Sequence, residues 1–180
     1  MYQNVAEMTT QLVGEKLTEL KVKPSNVISI DFILGGNHWK DAFCLCFRIV
    51  ITMSGGKMHY VDYGGAGTVM GKDMIDVLEK SIMPWLTEDL KTIHKSKLLM
   101  KVIDESGEIV CMFVDEESEI DYAPDCHIIH HVEIYNTGDL KWMAMLLGIS
   151  DMSNKWCIFC HLRELQWSVI GHDRGELWTI

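Results

Sequence analysis

Proline is scarce in this chain of 180 residues, with three in all, at positions 24, 84 and 124. No proline-rich or low-complexity tract is present, and no internal repeat, so repeat and fibrous architectures are excluded. Positive charge is also short. Sixteen Lys and Arg stand against 26 Asp and Glu, for a net charge of −10. A free-standing nucleic-acid binder carries a basic face, whereas this chain as a whole repels phosphate. No apolar run reaches the length of a membrane span. The first residues, MYQNVAEMTTQLVGEKL, hold acids and no secretory apolar core, so a signal peptide is not expected. Of the six cysteines only Cys157 and Cys160 form a metal-type or redox-type pair, and without an export signal a reducing, intracellular compartment is expected.

What is present is ordinary globular composition, 48% hydrophobic and 23% charged, enough for one domain with a core. Val5, Met8, Leu12, Leu17 and Leu20 give a helical stripe over residues 3–21, stopped at Lys23-Pro24-Ser25. Residues 26–35 are β-branched and read as a strand with glycines after it. Ala42–Met53 carries one charge, Arg48, and that apolarity predicts a central strand buried on both faces, with Cys44 and Cys46 as small hydrophobes inside it. Ser54-Gly55-Gly56 predicts a hairpin turn into a strand over 57–63, which the glycines at 64, 65 and 67 break. Helical spacing from Met74 to Ile93 predicts a helix or a kinked pair of helices over 70–95, with the kink at Pro84. Strands are expected at 97–103, 108–114 and 126–135, and a helix at 140–148 after the turn Asn136-Thr137-Gly138-Asp139. The acidic stretch 115–121 reads as a solvated loop, and the methionines of 141–147 as core packing. Helix, three consecutive strands, helix, further strands and a last helix make an α/β or α+β fold.

Three groups of residues could carry chemistry. Asp31 lies inside an apolar strand, where an unpaired carboxylate is costly, and Asp139 follows a strand and opens a helix. Carboxylates converging from neighbouring strand ends hold Mg²⁺, which takes hard oxygen ligands and supports phosphoryl transfer. The plainer reading makes Asp31 a solvent-facing edge residue and Asp139 a helix cap. Cys157 and Cys160, in Trp156-Cys-Ile-Phe-Cys160-His161, form half of a tetrahedral zinc site, with His172 the nearest further ligand and His127, His130 and His131 more distant ones. The same letters spell the c-type haem attachment motif or a redox pair, and two reduced cysteines in an aromatic cluster is the plain alternative. Finally, His127 and His131 would share one face of a strand and His130 the other.

Four segments occur in a set order: Phe32-Ile-Leu-Gly35-Gly36-Asn37-His38-Trp39, Phe43–Val50, Gly138-Asp139-Leu140-Lys141-Trp142, and Trp156–Cys160. Together they resemble eukaryotic transposon-encoded proteins with an RNase H-like nuclease core and an Asp-Asp-Glu triad. The layout is similar to the catalytic core of Transib transposases and of the V(D)J recombinase. The resemblance spans about residues 27–170. It implies a three-stranded antiparallel meander leading a mixed sheet, within an N-terminal helix and linker (1–25), a partial core (26–150) and a Cys/Trp segment (151–180). It makes Asp139 the second catalytic aspartate and Cys157 and Cys160 the first zinc pair, 18 positions later. The first aspartate should follow the glycine pair, but Asn37 stands there, and Asp31 lies six positions early. Nothing in the twenty positions after Cys160 resembles the family's second zinc pair or its glutamate, and its basic DNA-binding segment has no counterpart. The resemblance therefore implies a truncated, inactive remnant of a Mg²⁺-dependent DNA transposase, nuclear in location, with DNA contact weak or absent. It would keep zinc at Cys157 and Cys160, and would associate with protein through an exposed sheet edge. The alternative from another class is a zinc-stabilised interaction module without catalysis.

Overall fold

The structure, a computed structural model, describes residues 2–39, 42–70, 80–103, 107–115, 117 and 126–138. Helix α1 runs Val5–Leu20 and strands β1, β2 and β3 run Val27–Trp39, Ala42–Met53 and Met58–Met70. Helix α2 is Met83–Lys95. Strands β4, β5, β6 and β7 are Ser96–Val102, Ile109–Asp115, Cys126–Ile129 and Val132–Gly138. The fold is α+β, with two helices and two sheets among the described residues. One sheet has the order β3-β2-β1-β7, with the first three strands an antiparallel meander and β7 parallel to β1. The other is antiparallel, in the order β5-β4-β6.

Local chemistry sets these boundaries. Asn4 caps α1, its side-chain oxygen accepting the Glu7 N–H at 2.7 Å, and Lys21 closes the helix in the left-handed region with φ 52°. The β2–β3 turn needs positive φ at Gly55 (92°) and Gly56 (80°), which glycine adopts without steric cost. One core runs through both sheets and both helices, with Phe32, Leu45 and Ile49 fully enclosed. Phe32, Phe47 and Tyr63 stack in a row across three strands, with centroids 5.1 and 5.3 Å apart. Each such pair contributes about 0.5–1.5 kcal/mol beyond its buried area. The N-terminus is tied across the molecule: the Asp89 carboxylate of α2, itself buried, accepts the Val5 N–H at 2.6 Å and the Tyr2 hydroxyl at 2.5 Å.

Several sequence expectations need correction. β2 is buried chiefly on one face, Val50 being the buried residue of the other. Phe43, Leu45, Phe47, Ile49 and Ile51 point into the core, while Cys44 is exposed and Cys46 half-buried on the other side. β1 continues through Gly35-Gly36, and β3 through Gly64-Gly65, because each keeps pairing with β2. β3 absorbs its glycines as an irregularity, between Tyr63 opposite Phe47 and Gly67 opposite Leu45. Met70 ends β3 rather than opening a helix; Lys80 and Ser81 are helical, Ile82 is a turn, and Pro84 sits in the first turn of α2, where its missing N–H costs nothing, so the helical path is interrupted just before Pro84. Residues 126–135 are not one strand. Ile129 and Val132 are both buried but three apart, a spacing that one strand cannot put on one face. The chain breaks at His130-His131, and the two halves join different sheets. The helix expected at 140–148 lies outside the described residues, as does the centre of the acidic loop.

Candidate functional site

The inner face of the four-stranded sheet is filled by core, so chemistry is left to the outer face. Its residues follow from strand alternation and register. One row reads Tyr60, Val50, Asp31, Glu133 across β3, β2, β1 and β7. The next reads Asp62, Arg48, Ile33, Tyr135. The third holds Cys46, Gly35 and Thr137, and beyond it Cys44 stands opposite Asn37. A groove of about 660 Å³ runs along the second and third rows, lined by Ile33, Gly35, Cys46, Arg48, Asp62 and Thr137. Its floor stays open because Gly35 has no side chain: a Cβ there would lie 2.9 Å from the Cys46 sulfur.

The electrostatics of the face are local. Arg48 grips Asp62 with two hydrogen bonds, at 2.5 and 3.0 Å, and its guanidinium lies 5.5 Å from the centre of the Tyr60 ring. That hydrogen bonding holds the Asp62 carboxyl below its ordinary range and pushes Arg48 above its own. Asp31 is shifted the other way. Partial burial raises its carboxyl, and the neighbouring Glu133 raises it further, because two carboxylates side by side resist joint ionisation. Burial, then Cys44 and Asp62, raise the Cys46 thiol, which keeps it protonated and poorly nucleophilic. His131 lies 3.7 Å from Glu133 and its ring is 5.2 Å from that of His94.

Each residue expected from sequence can now be located. Asp31 is on the outer face, beside Glu133. Asn37 is in β1, six positions further on, or about 20 Å at 3.3 Å per residue. The two candidates for the first catalytic position are therefore far apart, and the register separates them. Gly138, the last residue of β7, stands opposite Gly36, next to Asn37, while Asp31 stands five positions back along β7. Asp139, Cys157, Cys160 and His172 lie outside the described residues. His127 is in β6 while His131 lies between β6 and β7, so they do not share a strand face; His127 Nε2 is 3.0 Å from the Val27 carbonyl. Among the described residues no group of three or more His, Cys, Asp or Glu is placed to hold a metal ion, and no helix is long and apolar enough to cross a membrane.

Sequence reading missed Glu133 as the neighbour of Asp31, and the Tyr60–Arg48–Asp62 set. The signal was the alternation in β2 itself: Cys44, Cys46 and Arg48 are the even positions between buried odd ones. Comparison with protein families, curated proteins and solved structures finds no match.

Proposed function

We propose that this chain is a remnant of a transposase-type, RNase H-like nuclease core, inactive as it stands. The observation that carries the reading is the pairing of β7 parallel to β1, with Gly36 opposite Gly138. The next residue in β1 is Asn37 and the next in the chain after Gly138 is Asp139. The two positions that match the family's first two aspartates thus each follow, in sequence, one member of a glycine pair that the register sets opposite each other. A three-stranded antiparallel meander leading a mixed sheet is the arrangement that the resemblance calls for.

Such a site works by holding Mg²⁺ between carboxylates, so that water or a 3′-hydroxyl attacks phosphorus in line with the leaving oxygen. Asn37 offers a neutral oxygen where a carboxylate is required, which weakens the hold on a hard cation. Arg48, the cation lining the groove, is already engaged by Asp62, and the net charge of −10 opposes approach of a DNA backbone. A zinc ion at Cys157 and Cys160, with His172, and a nuclear location belong to the same reading.

The test is DNA cleavage with Mg²⁺ and with Mn²⁺ by the full chain and by Asp139→Ala. No cleavage above the Asp139→Ala background is expected, and Asn37→Asp alone restores none. Metal-dependent cleavage by the native chain that Asp139→Ala abolishes would show an active enzyme and overturn the reading as a relic.

A further inference from the structure

We propose that His94 and His131 bind one divalent transition-metal ion of the zinc class, which clamps the crossing between the two sheets. His94 lies in the last turn of α2, which runs straight into β4 of the three-stranded sheet. His131 lies where the chain passes from β6, in that sheet, to β7 in the other. Two separate elements thus bring two imidazoles together, with centroids 5.2 Å apart and planes tilted by 59°. Around a tetrahedral ion with Zn–N bonds of about 2.0–2.1 Å, two imidazole ligands have centroids about 5 Å apart. The pair already has the separation that one shared ion imposes. Both residues are exposed, so an ion reaches them without opening the core.

The surrounding charge favours a cation. Glu133 Oε1 lies 3.7 Å from His131 Nε2, too far for a hydrogen bond, so it sets negative charge beside the ring without tying up that nitrogen. Asp31 stands opposite Glu133 in the register. The last carbonyls of α2 add partial negative charge at the same end, against which Lys95 is the one opposing charge in that turn. Ligand type then selects the ion: imidazole suits Zn²⁺, Ni²⁺ and Cu²⁺, whereas Mg²⁺ takes oxygen. Among the described residues no third ligand joins the pair, so water completes the shell and the ion exchanges freely. The site is separate from Cys157 and Cys160 and stands apart from the nuclease reading.

Calorimetric titration of the full chain with ZnCl₂ tests the proposal, on the native chain, on Cys157→Ser, and on Cys157→Ser combined with His94→Ala or with His131→Ala. A binding event is expected that Cys157→Ser leaves in place. Each added histidine substitution should weaken it by about tenfold or more, with circular dichroism unchanged because both side chains are exposed. Excess MgCl₂ should not displace the ion. Saturating ZnCl₂ should also raise the thermal midpoint of Cys157→Ser but not that of Cys157→Ser with His94→Ala, since only an ion held by the folded chain stabilises it. Three results would each overturn the proposal and leave the two rings a plain aromatic contact: no event in Cys157→Ser, an event that both histidine substitutions leave at full strength, or one that Mg²⁺ displaces.

Discussion

On the inner face of the four-stranded sheet, Phe32, Leu45 and Ile49 are fully enclosed; one residue along the same strands, Asp31, Cys44 and Arg48 face outward. Backbone, twist and hydrogen bonding are shared, and alternation alone separates a packing surface from a chemical one. The inner face is held by apolar area, which is insensitive to pH and salt. The outer face is held by a few charge pairs whose worth depends on both. The contrast predicts large effects of substitution inside and small, condition-dependent effects outside.

Phe32→Ala should be the most damaging single change. It removes a fully buried ring and both its hydrophobic burial and its stacking on Phe47. A loss of about 3–5 kcal/mol is expected in equilibrium urea unfolding. Asp89→Ala comes next, since it leaves the Val5 N–H and the Tyr2 hydroxyl without their buried acceptor. About 1–3 kcal/mol is expected, together with faster amide exchange at Val5. Gly14→Ala should destabilise by about 1 kcal/mol, although alanine is the better helix former by nearly that amount. The reason is that a Cβ at Gly14 would lie 2.6 Å from the Ile109 carbonyl oxygen, so α1 must move off β5. A gain in midpoint would show that this seam has room.

Outside, the sign reverses. The raised Asp31 carboxyl binds its proton more tightly in the folded chain than in the unfolded one. Its contribution is therefore fully favourable below the ordinary aspartate range and is lost as pH rises through the raised value. Asp31→Asn should raise the urea midpoint at pH 7, slightly because solvent screens the group, and the gain should vanish at low pH. Arg48→Ala is the smallest effect: exposed pairs rarely register, so no shift in midpoint is expected, whereas Asp62 should titrate closer to its ordinary range by NMR.

The comparison also marks what could be read in advance. The antiparallel meander and the Ser54–Gly56 turn were legible, because turn chemistry and β-branched runs are local signals. The one-sided burial of β2 was not: Cys44, Cys46 and Thr52 count as neutral or apolar by composition, so Ala42–Met53 looks uniformly hydrophobic although it alternates. The break at His130-His131 was equally hidden, since which sheet receives each half is a long-range matter. At the site, Asp31 and Asn37 are both candidates by sequence, and the pairing of β1 with β7, which sets Gly36 rather than Asp31 opposite Gly138, is visible only in the fold. Parallel register between residues 102 positions apart leaves no trace in either segment.

The most direct test of the central claim, that Asn37 and Asp139 occupy the two carboxylate positions of a lapsed metal site, is Mn²⁺ binding by calorimetry to Asn37→Asp. The account predicts binding at least tenfold tighter than in the native chain, abolished by adding Asp139→Ala and untouched by Asp31→Asn. No gain on Asn37→Asp, or a gain that Asp31→Asn removes and Asp139→Ala does not, would contradict it.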